Sequence, residues 1–239
     1  MASKFITPER ETAASWASGS PSLTDSAYTL LEERIVTLKM QPGAQVSEQV
    51  LCQESGLGRT PVREAIQRLA REGLVVVQPR KGIRVTESDP RQQMLVLEVR
   101  RELERLLSRM AAKRASLEQR SALLQIAIGM ETASQTNDDL AFMRLDREMN
   151  VLIMEAAHND YAAGAMRLIN GHSRRFWYQH YKTAADLPRC AMLHAAQART
   201  IAEGNPTAAA SALDALIDYT EEFTRAIDPP DPDAVPSIT

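Results

Sequence analysis

Residues 58–85 read GRTPVREAIQRLAREGLVVVQPRKGIRV, and this stretch decides the fold. Its first half has a helical period. Val62, Ala65, Ile66 and Leu69 recur at three- and four-residue spacings and form one buried stripe. Thr60 is expected to cap the helix, with Pro61 in the first turn, where a missing N–H does no harm. Gly73 ends it. Arg63 and Gln67, four apart, lie on another face and point outward, as does Thr60. The second half changes period. Leu74–Gln78 and Ile83–Thr86 are β-branched runs around Pro79-Arg80-Lys81-Gly82, which predicts a hairpin with a basic tip.

Upstream, Ala27, Leu30, Leu31, Ile35 and Leu38 predict a helix from Thr24 that stops at Gln41-Pro42-Gly43. A short second helix follows, capped by Ser47, with Val50, Leu51 and Cys52 facing inward and Gly56 and Gly58 breaking it. Helix, helix–turn–helix and basic hairpin, in that order, is the plan of a winged helix. Downstream of Asp89-Pro90 the strand signals vanish. Helices are expected at about 91–115, 118–133, 138–157, 160–184, 188–203 and 206–227, with the short connections of an antiparallel bundle. The fold class is thus mainly α. A disordered arm is expected over 1–22, a winged helix-turn-helix with a small β-hairpin over 23–88, an all-helical domain over 89–228, and a flexible tail over 229–239.

Of the 239 residues, 44% are apolar and 25% charged, an ordinary balance for a soluble protein. No apolar run approaches a bilayer span, and the first residues lack a signal-peptide pattern, so a cytoplasmic location is expected. Cys52 and Cys190, far apart, suggest reduced thiols rather than a disulfide framework. The net charge is −3, yet residues 58–85 hold seven basic residues against two acidic ones. A local excess of this kind is the electrostatic footprint of a nucleic-acid face.

The segment PGAQVSEQVLCQESGLGRTPVREAIQRLAREGLVVVQPRKGIRV, residues 42–85, resembles the DNA-binding domain of the GntR family of transcriptional regulators. The helical remainder looks like the ligand-binding FCD domain of the family's FadR-type branch. Glu98, Arg100, Leu103 and Glu104 in its first helix fit that likeness, as does the Ala202-Glu203-Gly204 stop. The resemblance implies a homodimer on a palindromic double-stranded operator, with Arg59, Thr60, Arg63 and Gln67 at the major groove. Arg is the side chain best able to grip the two guanine acceptors. It also makes Arg80, Lys81 and Gly82 the wing tip in the minor groove. Gln49 stands where many relatives carry a DNA-touching arginine.

Many such helical domains hold a divalent metal on an Asp, a His four residues on, and two later His. Asp146 and His194 match two of these positions, whereas Asn150 and Leu216 replace the other two. On a helical wheel Met143, Asp146, Asn150, Ile153 and Ala157 share an inward arc, and His194 lies with Cys190, Ala198 and Ile201. Inward polar groups need partners. Three readings compete: a weak divalent metal on Asp146 and His194; a metal-free pocket for an organic ligand, needing no cofactor; or a hydrogen-bond network alone. Arg100, at the edge of its helix's apolar stripe, either clamps a ligand carboxylate or pairs with Glu104. Since relatives commonly sense small organic acids, a small carboxylic acid is the expected effector, bound by Arg100, Asp146, Asn150 and His194. Arg174-Arg175-Phe176-Trp177-Tyr178 reads as core, subunit contact or ligand site. An enzyme using Asp146 and His194 as an acid–base pair is the rival from another class, without a nucleophile or oxyanion site to support it. A winged helix that docks proteins is the other rival, and the outward Arg59 and Arg63 argue against it.

Overall fold

The computed structural model describes residues 22–184 and 186–227. The expected arm, apart from Ser22, and the expected tail lie outside the described residues. Ser22 caps the first helix, α1 (Leu23–Val36), by accepting from the Asp25 amide. Ala27, Leu31 and Ile35 are buried as their spacing predicts, whereas Leu30 is exposed. α1 ends before Gln41-Pro42-Gly43, and Leu38 sits in the following turn at φ +58°. The cause is local: the Thr37 hydroxyl donates to the Glu33 carbonyl, and the Met40 amide returns to that of Arg34.

A strand absent from the expectation comes next. β1 (Gln45–Val46) pairs antiparallel with β3 (Gly82–Val85), which also pairs with β2 (Val75–Gln78), giving the order β1-β3-β2. Between β1 and β2 lie α2 (Glu48–Ser55), capped by Ser47, and α3 (Arg59–Arg71). Leu51 is buried as expected, but Val50 faces solvent on this eight-residue helix. Gly58, not Thr60, is the N-cap of α3, since the helix starts two residues earlier than expected and Thr60 falls within its first turn. Val62, Ala65, Ile66 and Leu69 form the buried stripe and join Leu31, Ile35, Leu51, Leu74, Ile83 and Val85 in one core.

Asp89 then caps α4 (Pro90–Arg114). There follow α5 (Leu117–Thr136), α6 (Asp139–Ala156), α7 (Asp160–Arg167), α8 (Asn170–Ala184), α9 (Leu187–Ala202) and α10 (Pro206–Ile227). Helices α5, α6 and α9 pack together, and α10 closes the bundle against α4 and α9. The single helix expected over 160–184 is two. Leu168 and Ile169 form tight three-residue bonds to Ala165 and Met166 that end α7. After the break α8 runs against the winged helix: a Cβ at Gly171 would stand 2.7 Å from Leu74 Cδ1 and would force that side chain to shift. The two domains also share α1, whose Val36 belongs to the core of the helical bundle while its neighbours serve the winged helix. No helix among the described residues is long and apolar enough to cross a membrane.

Candidate nucleic-acid interface and buried polar cluster

The stripe that buries one side of α3 leaves the other to solvent. Arg59, Thr60, Arg63 and Gln67 are all exposed there, and Gln49 is exposed on α2. Arg63 is not free: its Nε and Nη2 donate to the two carboxylate oxygens of Glu48, at 3.1 and 2.9 Å. That fork, together with the charge of Glu48, raises the guanidinium's pKa further. Glu48 has no signature in the sequence beyond following the Ser47 cap, because its partner lies on the next helix. At the wing, Arg80 takes φ +63° and Lys81 is exposed beside it. Gly82, at φ +95°, is a structural necessity: a Cβ there would lie 2.7 Å from the Val46 carbonyl oxygen. Two of the basic residues counted along 58–85 turn elsewhere. Arg68 pairs with Glu72 at 3.2 Å and lies 3.6 Å from the centre of the Tyr28 ring, and Arg84 donates to Glu87 at 2.8 Å.

The helical domain brings the other predicted residues together. Asp146 Oδ1 accepts from Asn150 Nδ2 at 2.8 Å and faces His194 Nε2 at 3.4 Å; its Oδ2 accepts from Arg174 Nε at 2.7 Å. Burial alone would raise the Asp146 pKa, but the bond from His194 and the charges of Arg174, His194 and Arg100 hold it well below the carboxylate range. His194 moves the other way. Burial opposes its charged form, yet Cys190 and the hydrogen bond and charge of Asp146 outweigh this, and its pKa is raised to about 10. Its Nδ1–H donates to the Cys190 carbonyl at 2.8 Å. Arg100 is enclosed as the edge of its stripe suggests, with its Nε on the Glu104 carboxylate one turn along. The intrahelical pair is thus the arrangement in this state, and the guanidinium is committed to it. Arg174 and Arg175 join a buried aromatic group in which Trp177 stacks on Tyr181 at 4.7 Å between centroids.

The donor set does not fit a tightly held transition metal. Such a site wants several imidazole or thiolate ligands. Here Asp146 and His194 face each other, Asn150 turns its amide N–H toward Asp146, and Leu216 is a buried apolar residue. Among the described residues no three His, Cys, Asp or Glu are grouped to hold an ion. The contacts between the two domains are what the sequence pattern does not show. Arg174 Nη1 donates to Glu32 of α1, and Arg174 Nη2 to the Met143 carbonyl at 2.7 Å. Arg175 donates to the carbonyls of Thr86 and Glu87 at 2.8 and 2.9 Å, and His172 Nε2 to that of Glu72, at the end of α3, at 2.7 Å. Two consecutive arginines within an aromatic stretch were the only hint.

Residues 23–85 match the bacterial regulatory proteins of the gntR family, and residues 95–219 match the FCD domain. An uncharacterized HTH-type transcriptional regulator, YdhC of Bacillus subtilis (strain 168), is 24% identical over 144 residues, 60% of this chain and 64% of that one. The Nta operon transcriptional regulator of Aminobacter aminovorans is 24% identical over 139 residues, 58% of this chain and 66% of that one. A shorter match, 46% over 63 residues, links an HTH-type regulator of Streptomyces ambofaciens; it covers 26% of this chain and 27% of that one. The chain thus spans from about a quarter to just under two thirds of these curated relatives. Among solved structures, E. coli McbR/YncC superposes with a TM-score of 0.74 at 18% identity over 87% of this chain and 100% of that one. A putative transcriptional regulator GntR from Rhodococcus sp. RHA1 gives 0.62 at 20% identity, over 86% and 99%. These likenesses concern the fold.

Proposed function

Because the chain belongs to the bacterial regulatory proteins of the gntR family and carries an FCD domain, we propose that it is a DNA-binding transcriptional regulator of the FadR-type branch, acting in the cytoplasm, whose operator affinity is set by a small carboxylic acid bound in the helical domain. The observation that carries the DNA-binding half is the outer face of α3: Arg59, Arg63 and Gln67 stand exposed opposite a fully buried stripe, beside a wing tipped by Arg80 and Lys81. A helix so equipped enters the major groove, and the helix N-terminus and wing take phosphates. Glu48 holds the Arg63 fork in the shape that guanine O6 and N7 would require, so base recognition exchanges one bidentate acceptor for another.

The effector half rests on the enclosed cluster around Arg100, Asp146, Asn150, His194 and Arg174. A carboxylate ligand enters by replacing an internal carboxylate on one of these guanidiniums, which needs no cofactor. A binding role suits Asp146 and His194 better than catalysis, since both are buried and engaged with each other. Dimerisation has its own support. Leu95, Val99 and Leu106 are exposed on one arc of α4, with Glu98 and Glu102 toward its start and Arg109 and Lys113 toward its end. Two such helices crossing antiparallel about a two-fold axis bury the apolar arc and oppose the unlike charges.

The test is selection from random duplex DNA at low salt. A palindromic sequence bound by a dimer is the expected product, and Val99→Glu should yield monomers that lose it. A chain that enriches no duplex refutes the reading.

A further inference from the structure

We infer that Arg174 is the coupling residue between the helical domain and the winged helix: one guanidinium holds Asp146 in the effector cluster and Glu32 beneath the recognition helix, so whatever rearranges the cluster moves the DNA-binding face. The inference rests on the proposed function and adds the route by which that site is regulated.

All three nitrogens of Arg174 are engaged, and in three directions. Nε meets Asp146 on α6, Nη2 the Met143 carbonyl on the same helix, and Nη1 Glu32 on α1. Arg174 is 7% exposed and Glu32 4%, so neither end of the bridge can be replaced by water without opening the structure. Glu32 has one further cation, Arg147, whose Nε lies 3.5 Å from its second oxygen. Asp146 is better supplied, with Asn150 Nδ2 at 2.8 Å and His194 Nε2 at 3.4 Å besides. The asymmetry matters: if Arg174 turns toward a ligand, Asp146 keeps two donors while Glu32 loses its closest partner.

From Glu32 the path to DNA is short and rigid. α1 packs along α3 and is tied to it by Tyr28 on Glu72 at 2.7 Å and Thr24 on Glu64 at 2.6 Å. The same turn of α8 grips the winged helix twice more, through His172 at the end of α3 and Arg175 on the connecting residues Thr86 and Glu87. Those two contacts are to backbone carbonyls and involve no group of the effector cluster. They act as a hinge about which the Arg174 bridge sets the angle. In a dimer, a change of that angle alters the spacing of the two recognition helices, and half-site spacing is fixed by the DNA.

Hydrogen exchange on the full-length protein, with and without a duplex obtained by selection, tests this without knowing the ligand. Linkage requires that what the cluster does to DNA affinity, DNA does to the cluster. In wild type, adding the duplex should change exchange in α3 and, by about fivefold or more, in the segments of α6 and α8 around Asp146 and Arg174. In Glu32→Gln, which keeps the shape and removes the charge, the α3 change should persist while the α6 and α8 changes disappear. Asp146→Asn, cutting the bridge from the other side, should reproduce the loss even where Glu32→Gln folds poorly. Changes in α6 and α8 that survive either well-folded variant overturn the inference, as does a wild type that responds only in α3. No response in α3 itself would instead remove the DNA-binding reading, and the inference with it.

Discussion

On the outer face of α3 the arginines stand in solvent, with Arg63 held by a single exchangeable carboxylate, whereas Arg100 and Arg174 of the helical domain are enclosed with Glu104, Asp146 and Glu32. The chemistry is the same, a guanidinium on carboxylates, but burial changes its consequences. An exposed pair is screened and weak, so DNA can displace Glu48 at little cost. A buried pair gives little net stability, yet losing one partner is expensive, because the other charge is left in a low dielectric. The first arrangement suits a surface that must release one partner to take another. The second suits an element with few discrete states, changed only by a ligand that supplies the missing bonds.

The largest effect should come from breaking the enclosed side. Arg174→Met leaves Asp146 and Glu32 short of their shared cation and should cost about 3–5 kcal/mol in urea unfolding of the DNA-free protein. A cost near zero would mean the cluster is as forgiving as the surface, and the contrast would fail.

The pH response sharpens the same point. The raised pKa of His194, about 10 against an ordinary 6.5, contributes stability that is fully present below the ordinary value and is lost as pH rises through the folded one. Wild type should therefore lose stability between pH 7 and 10 relative to His194→Gln, as followed by urea midpoints in buffers across that range. The lowered pKa of Asp146 works at the other end: its contribution is present above the usual carboxylate range and is lost as pH falls through the folded value. Parallel curves for wild type and variant would show that the imidazolium is not held by Asp146.

On the exposed side the effects belong to DNA affinity rather than stability. Arg63→Ala should weaken binding to the selected duplex roughly ten- to hundredfold and relax preference at one base position, with unfolding unchanged. Smaller still, Lys81→Ala should weaken binding to every duplex alike and reduce the salt slope by about 1. Equal loss of sequence preference from both changes would erase the division between base-reading helix and phosphate-gripping wing.

The exposed half was the more legible from sequence. A stripe of apolar residues leaves its complement facing out, so Val62, Ala65, Ile66 and Leu69 place Arg63 and Gln67 without further information. The same logic put Asp146, Asn150 and His194 inside, where they meet. What periodicity could not supply was pairing across the chain. β1 is two residues long and exists because Gln45 and Val46 register with Arg84 and Ile83. The split between α7 and α8 lies at the three-residue bonds of Leu168 and Ile169, just before Gly171 meets Leu74. The Arg174–Glu32 bridge joins residues 142 positions apart, both of a type that ordinarily stays at the surface. A charged residue says inward only when its partner is known.

A ligand-controlled regulator requires that the enclosed cluster govern the exposed face. The direct measurement is operator affinity at fixed salt, with and without an acid that raises the melting temperature, found by screening mono- and dicarboxylates of about two to six carbons by thermal shift. Such an acid should change operator affinity roughly 5–150-fold, and the operator should change affinity for the acid by the same factor. An acid that binds and stabilises the protein while operator affinity stays constant would contradict ligand control.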